Sequence, residues 1–158
     1  MKKIIFLLLF FSFNVYPQNN LDNPVSQNSG QSELESGFFE ITQNWSQEPT
    51  GYLRRVYVKL PDKKLKKHPI AIVLHGGGGS ANNFVNKFNY LDKHIIIAPQ
   101  GYLKRWNIAK EKSKAPDINF IAEIISYLKL FKNVDLENIS IIGSSNGSAL
   151  VNQLLIEF

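Results

Sequence analysis

Three short apolar runs set the pattern of the chain. Residues 69–74 (PIAIVL), 94–99 and 139–142 are rich in β-branched side chains and apolar at successive positions, which predicts strands buried on both faces of a sheet. Between them the apolar residues fall at helical spacing. A helix is predicted around residues 81–89. A second opens at Pro116 and Asp117, where proline is tolerated and an acidic group complements the dipole, and carries the stripe Ile118, Ile121, Ile124, Ile125, Leu128 and Phe131. Residues 148–158 are apolar on most faces and predict a third, largely buried helix. Upstream, residues 38–45 and 52–60 predict an antiparallel hairpin, with Pro49-Thr50-Gly51 as its turn. In the second strand Arg54, Val56 and Val58 share one face, and Arg55, Tyr57 and Lys59 the other. Strands alternating with helices imply right-handed crossovers and a mostly parallel α/β sheet.

The N-terminal region follows different rules. Lys2 and Lys3 precede an apolar run over residues 4–13, too short to span a membrane and of the right length for a secretory signal. Residues 1–18 are therefore expected to be a signal peptide cleaved near Gln18, with the protein secreted to an extracellular or periplasmic location. Residues 19–37, rich in Asn, Gln, Ser and Glu, are expected to be a flexible linker. Residues 38–158 form the folded domain. A hydrophobic fraction of 44% over 158 residues suffices for one core. The net charge of +5 lies largely in the loop 61–68, with Lys63, Lys64, Lys66 and Lys67, which reads as a solvated loop before it reads as a docking patch for an anionic polymer. No nucleic-acid partner follows from it. With no cysteine there is no disulfide, no thiol-ligated metal and no lipobox-type anchor. No metal or cofactor is expected.

The chemistry gathers at two loops. Gly143-Ser144-Ser145-Asn146-Gly147 stands between a predicted strand and a predicted helix, the context in which G-x-S-x-G is a nucleophile elbow. The turn is sharp enough to strain Ser145, and side chains at Gly143 and Gly147 would collide with neighbouring backbone. The second loop is His75-Gly76-Gly77-Gly78-Gly79-Ser80. A phosphate cradle would need a lysine or an acidic partner at spacings that this loop lacks. An oxyanion hole needs only an N–H from such a loop, here Gly77 or its neighbours Gly76 and Gly78, joined by the N–H of Asn146. Both loops fall at the C-terminal edge of their strands, where open α/β sheets bind ligands.

The ordered series LHGGGGS (74–80), APQG (98–101), Trp106-Asn107, Asp117-Ile118, NVDLENISIIG and SSNG resembles the extracellular polyhydroxybutyrate depolymerase and feruloyl-esterase-like branch of the α/β-hydrolases, from about Tyr52 to Phe158. The resemblance implies a three-layer α/β-hydrolase fold and a serine esterase working through an acyl-enzyme on an ester substrate, possibly polymeric. It implies Ser145 as nucleophile, Asn146 and Gly77 at the oxyanion hole, and His75, Gln100, Trp106 and Asn107 bordering the site. Ser148 replaces a glycine common in that motif. The family's triad runs serine, acid, histidine along the chain, yet after Ser145 come only Glu157 and no histidine. The expectation is thus a fold truncated after the elbow helix and inactive by itself. The alternative is a non-catalytic remnant or polysaccharide-surface binding protein on the same scaffold. His68 and His94 precede their strands, at the wrong edge. His75 lies at the right edge, where its simpler role is to brace the glycine loop.

Overall fold

The computed structural model describes residues 32–157 and the strand Tyr16–Gln18. Residues 1–15, which hold most of the expected signal peptide, and 19–31 of the expected linker lie outside the described residues. The strands are β1 (Tyr16–Gln18), β2 (Gly37–Trp45), β3 (Glu48–Lys59), β4 (His68–Leu74), β5 (Ile95–Pro99) and β6 (Val134–Gly143), in the sheet order β1-β2-β3-β5-β4-β6. Pairings among β1, β2, β3 and β5 are antiparallel, while β4 runs parallel to both β5 and β6. The sheet is therefore mixed, and parallel only in the half that carries the two loops. The opening hairpin accounts for the rest, since a tight turn can join only antiparallel strands.

Alternation along β4 explains the layers. Ile70, Ile72 and Leu74 point to one face and pack with helices α2 (Asp117–Leu128) and α3 (Asn146–Glu157) through Phe120, Ile121, Ile124, Leu150 and Leu154. Ala71 and Val73 point to the other and meet α1 (Ala81–Val85) and the 3₁₀ turn Asn86–Phe88 through Ala81, Val85 and Phe88. A strand covered on both sides has no polar face, which is why β4 and β5 read as continuous apolar runs.

The structure corrects four sequence expectations. Residues 139–142 are not buried on both faces: Ile139, Ile141 and Ile142 are half-buried and Ser140 is exposed, because β6 is the last strand of the described sheet. The hairpin turn falls at Ser46-Gln47, with Trp45 paired to Glu48, and Pro49-Thr50-Gly51 forms an irregularity within β3 opposite Asn44. Gln47 fixes this turn, its amide accepting from Lys114 N–H (2.6 Å) and donating to Lys112 O (2.9 Å). Proline without an N–H and Gly51 at φ +100° interrupt a ladder as readily as they make a turn. Residues 32–37 are not linker. Leu34 is buried in the core, held by Asn133, whose side chain accepts from Leu34 N–H (2.8 Å) and donates to Leu34 O (3.0 Å). Helix α3 is buried only at Gly147, Leu150 and Leu154, whereas Leu155 and Ile156 are 76% and 84% exposed. It has one covered face because β6 is the last strand of the described sheet.

A buried polar chain ties the hairpin to α2. Arg54 is 1% exposed on the inward face of β3. Its Nη2 donates to Asp117 Oδ1 (2.5 Å) and its Nη1 to Gln43 Oε1 (3.0 Å), while Gln43 Nε2 donates to Glu123 (3.0 Å). The guanidinium also lies 3.7 Å over the Phe120 ring. Burial lowers Arg54 and raises Asp117 from their ordinary values, and each opposes the other's shift. Removing one partner leaves an uncompensated buried charge, which costs about 3–5 kcal/mol, while replacing both by apolar groups of similar volume can be neutral. Arg54→Met is expected to lower the urea unfolding free energy by that amount, and Arg54→Met with Asp117→Leu to recover part of it, since the Asn107 N–H that Asp117 also accepts is left unpaired. A single variant as stable as the native protein would contradict this role.

Candidate active site

At the end of β6 the chain reverses into α3 within a few residues. Ser144 N–H donates to Leu74 O (3.0 Å), which extends the contact of β6 with β4 by one more bond. Ser145 then takes φ +52°, a region that disfavours side chains, and is exposed. Gly147 N–H and Ser148 N–H close onto Ser144 O and Ser145 O, both at 2.8 Å, and the helix begins. The flanking glycines are required by contact. A Cβ on Gly143 would stand 2.5 Å from the backbone of Gly147 and Ser148, and one on Gly147 would stand 2.7 Å from His75 O and closer still to Leu74 O. Ser148 fits the helix start, because its Oγ donates to Gly143 O (2.8 Å).

The glycine loop lies against this turn. A Cβ on Gly76 would be 3.4 Å from Ser145 Cβ, and one on Gly77 would be 3.8 Å from Asn146 Cβ. Gly78 N–H donates to Lys104 O (2.8 Å) and Gly79 N–H to Gly76 O (2.9 Å). Among the described residues no hydrogen bond engages the N–H of Gly77 or that of Asn146, the first residue of α3. Helix starts leave such donors open. Two open N–H groups beside an exposed, strained serine can hold a negatively charged oxygen. An open cleft of about 200 Å³ adjoins the glycine loop on the side of Ser144, lined by Gly76, Gly77, Ser144, Asn83, Phe84 and Lys87 among others, with neither Ser145 nor Asn146 in its lining.

Beneath the loops lies a supporting layer. His75 is 1% exposed. Gly101 N–H (3.0 Å) and Gln100 Nε2 (2.9 Å) both face its Nε2, so Nδ1 carries the proton and donates to Gly76 O (2.7 Å). Both ring nitrogens are thus occupied, Nδ1 within the glycine loop and Nε2 at the segment that follows β5. Gln100 also accepts from Ala81 N–H at the start of α1 (2.9 Å). Trp106 is fully buried, and Asn107 faces its own loop, donating through Nδ2 to Ala115 O (3.2 Å) and through N–H to Asp117 Oδ2 (2.6 Å). Of the residues singled out in the sequence, Ser145, Asn146, Gly76 and Gly77 come together at the surface. His75, Gln100, Trp106 and Asn107 sit behind them. His68 sits at the opposite end of β4, its Nδ1 on Lys93 O (3.0 Å).

Sequence reasoning missed two features. Asp117 does more than open α2, since it joins Arg54 to the Asn107 loop; the signal was an arginine on the inward face of a strand otherwise marked by Val56 and Val58. Arg105 Nη1 would be 3.4 Å from a Cβ on Gly77 and pairs with Glu111 (3.2 Å), and nothing in the sequence pattern marked it. Among the described residues no cluster of potential ligands could hold a metal ion, and no helix is long and apolar enough to cross a membrane.

Solved structures share this arrangement of strands and helices. The crystal structure of a thermostable esterase matches at a TM-score of 0.57 and 20% identity, covering 77% of this chain and 38% of that one. LpqC, a poly(3-hydroxybutyrate) depolymerase from Bordetella parapertussis, matches at 0.52 and 15% identity, covering 77% and 47%. The fold is that of the α/β-hydrolases. In sequence, the chain is 28% identical over 120 residues to feruloyl esterase B of Neurospora crassa, covering 69% of this chain and 40% of the relative. It thus spans about two fifths of the curated relative's length. No protein-family profile matches the chain.

The brace at His75 makes a pH prediction. Burial pushes the imidazole below its ordinary value of 6.5, against weaker upward pulls from the Gly76 carbonyl and Asp117. Below about pH 6.5 the unfolded chain then binds the proton more readily than the folded one, so stability is complete above that pH and declines as pH falls toward the folded value. The urea midpoint is expected to drop between about pH 7.5 and 5, and His75→Gln to flatten part of that drop. Equal slopes in both proteins would remove His75 from the account.

Proposed function

We propose that this chain supplies the nucleophile and oxyanion hole of a secreted serine hydrolase acting on carboxylic esters, of the polyester, feruloyl or acetyl type. The observation that carries the reading is Ser145 at φ +52° between two glycines that admit no side chain. Similarity to a protein named feruloyl esterase B and the esterase and depolymerase names among the structural neighbours support it. In the proposed reaction Ser145 Oγ attacks the ester carbonyl carbon and gives up its proton to a base. The carbonyl oxygen becomes an oxyanion held by Gly77 N–H and Asn146 N–H. Collapse expels the alcohol, which takes a proton, and leaves an acyl-serine that water hydrolyses to free acid and Ser145. Neither nitrogen of His75 is free to be that base, and His68 stands at the far end of its strand. His94 stands before β5, at that same far end, so among the described residues no histidine with a free nitrogen meets Ser145.

Assayed as its host produces it, the protein is expected to hydrolyse a short nitrophenyl ester, and Ser145→Ala to lower kcat by about 10⁶. Gly77→Val should lower kcat about a hundredfold or more with KM nearly unchanged, because the lost bond belongs to the transition state. The 158-residue chain expressed alone should be no faster than its Ser145→Ala variant. Activity indifferent to Ser145 would overturn the reading in favour of a binding protein on a hydrolase scaffold, and a loss confined to KM in Gly77→Val would make the glycine loop a substrate-binding element. Export is part of the same proposal. N-terminal sequencing should find the mature protein starting near Gln18 or Asn19, and a cytosolic protein retaining Met1 would refute it.

A further inference from the structure

We propose that Trp106 is a positioning residue that sets the spacing between the two N–H donors at Gly77 and Asn146, an inference that rests on the oxyanion hole proposed above. The indole Nε1–H donates to His75 O (2.8 Å), the carbonyl that leads into Gly76 and Gly77. The backbone N–H of the same residue donates to Asn146 Oδ1 (2.7 Å), and Asn146 Nδ2 donates back to Trp106 O (3.2 Å). One residue therefore grips both walls of the hole, the glycine loop by its side chain and the start of α3 by its main chain. Its ring is fully buried, 5.0 Å from the His75 ring. Its own place is fixed one residue later, where Asn107 N–H donates to Asp117 Oδ2 (2.6 Å), the carboxylate that Arg54 holds from the far side.

A buried indole needs some acceptor wherever it lies. Here the acceptor and the reciprocal amide belong to the segments that carry the two open donors. The side chain of Asn146 is the matching half. Its amide offers both an acceptor and a donor to a single peptide, which an aspartate could not do. It is turned to Trp106, so Asn146 would meet the substrate through its main chain only. Oxyanion stabilisation depends on donors fixed in advance, and a supporting shell that lets them drift by roughly 0.5 Å weakens it. A strut acting on donor spacing alters the transition state more than the bound ester, so its loss should fall on kcat.

Two variants test this. Trp106→Phe keeps a buried ring but removes the donor to His75 O; Asn146→Asp keeps the backbone N–H but loses the donor to Trp106 O. Each is expected to lower kcat tenfold or more with KM within about twofold, and the double variant to be little worse than either single one, since both cut the same strut. Crystal structures of the native and Trp106→Phe proteins should show the distance between the Gly77 and Asn146 nitrogens changed by more than roughly 0.5 Å. An unchanged distance, or additive losses that follow thermal stability instead of donor spacing, would overturn the proposal. If the native protein has no Ser145-dependent turnover, the esterase reading falls, and the two crystal structures alone decide whether Trp106 sets the spacing. Should Trp106→Phe fail to fold, the same distance in Asn146→Asp decides it.

Discussion

Helix α3 starts so close to the end of β4 that residue 147 has no room for a side chain, and this close approach shapes the site. Strand β6 lies directly beside β4, with Leu74 opposite Gly143, so a chain leaving β6 for a helix must cross the mouth of β4. It does so within the short turn from Ser144 to Gly147, at the cost of a left-handed backbone at Ser145. Such conformations cost about 1–3 kcal/mol and persist where surrounding contacts over-determine them. The contacts here are the Ser144 N–H bond to Leu74 O, the closing bonds of Gly147 and Ser148, and the Ser148 hydroxyl on Gly143 O. The strained residue, Ser145, is exposed at the parallel edge of the sheet next to the equally exposed Ser144, beside the first open N–H of a twelve-residue helix.

That geometry would be of little use on a soft base, and the residues behind it are polar, buried or half-buried, and almost fully bonded. Glu123, Gln43, Arg54 and Asp117 form a line from β2 and β3 into α2. Asp117 passes it to the Asn107 loop, Trp106 to the glycine loop and α3, and His75 with Gln100 to the ends of β5 and the start of α1. Buried polar groups of this kind stabilise only when every partner is present. Their arrangement links the opening hairpin, far from Ser145 in sequence, to the spacing of the backbone donors beside it.

How much of this the sequence displayed depends on the kind of force at work. The apolar runs of β4 and β5 were legible because burial on both faces leaves no polar position. The tight turn around Ser145 was legible because close backbone approach requires glycine at two fixed places. The hairpin turn was misplaced because Pro49 and Gly51 disturb a strand as well as end one. Leu34 escaped notice as one leucine in a polar stretch, held down by Asn133 nearly a hundred residues away, a pairing no local pattern encodes. Helix α3 looked buried because its composition is apolar, yet composition does not say how many faces find a neighbour. Arg54 was visible on the face it shares with Val56 and Val58, but that this face is inward, and that its partner is Asp117, emerged only with the fold.

The central claim is that Ser145, and not its neighbour Ser144, is the reactive hydroxyl at this edge of the sheet. Reaction of the host-produced protein with a fluorophosphonate, followed by peptide mass mapping, tests it most directly. The account predicts one phosphonyl group per chain, carried on Ser145, and none on the Ser145→Ala protein. A label on Ser144, or one that survives the loss of Ser145, would contradict it.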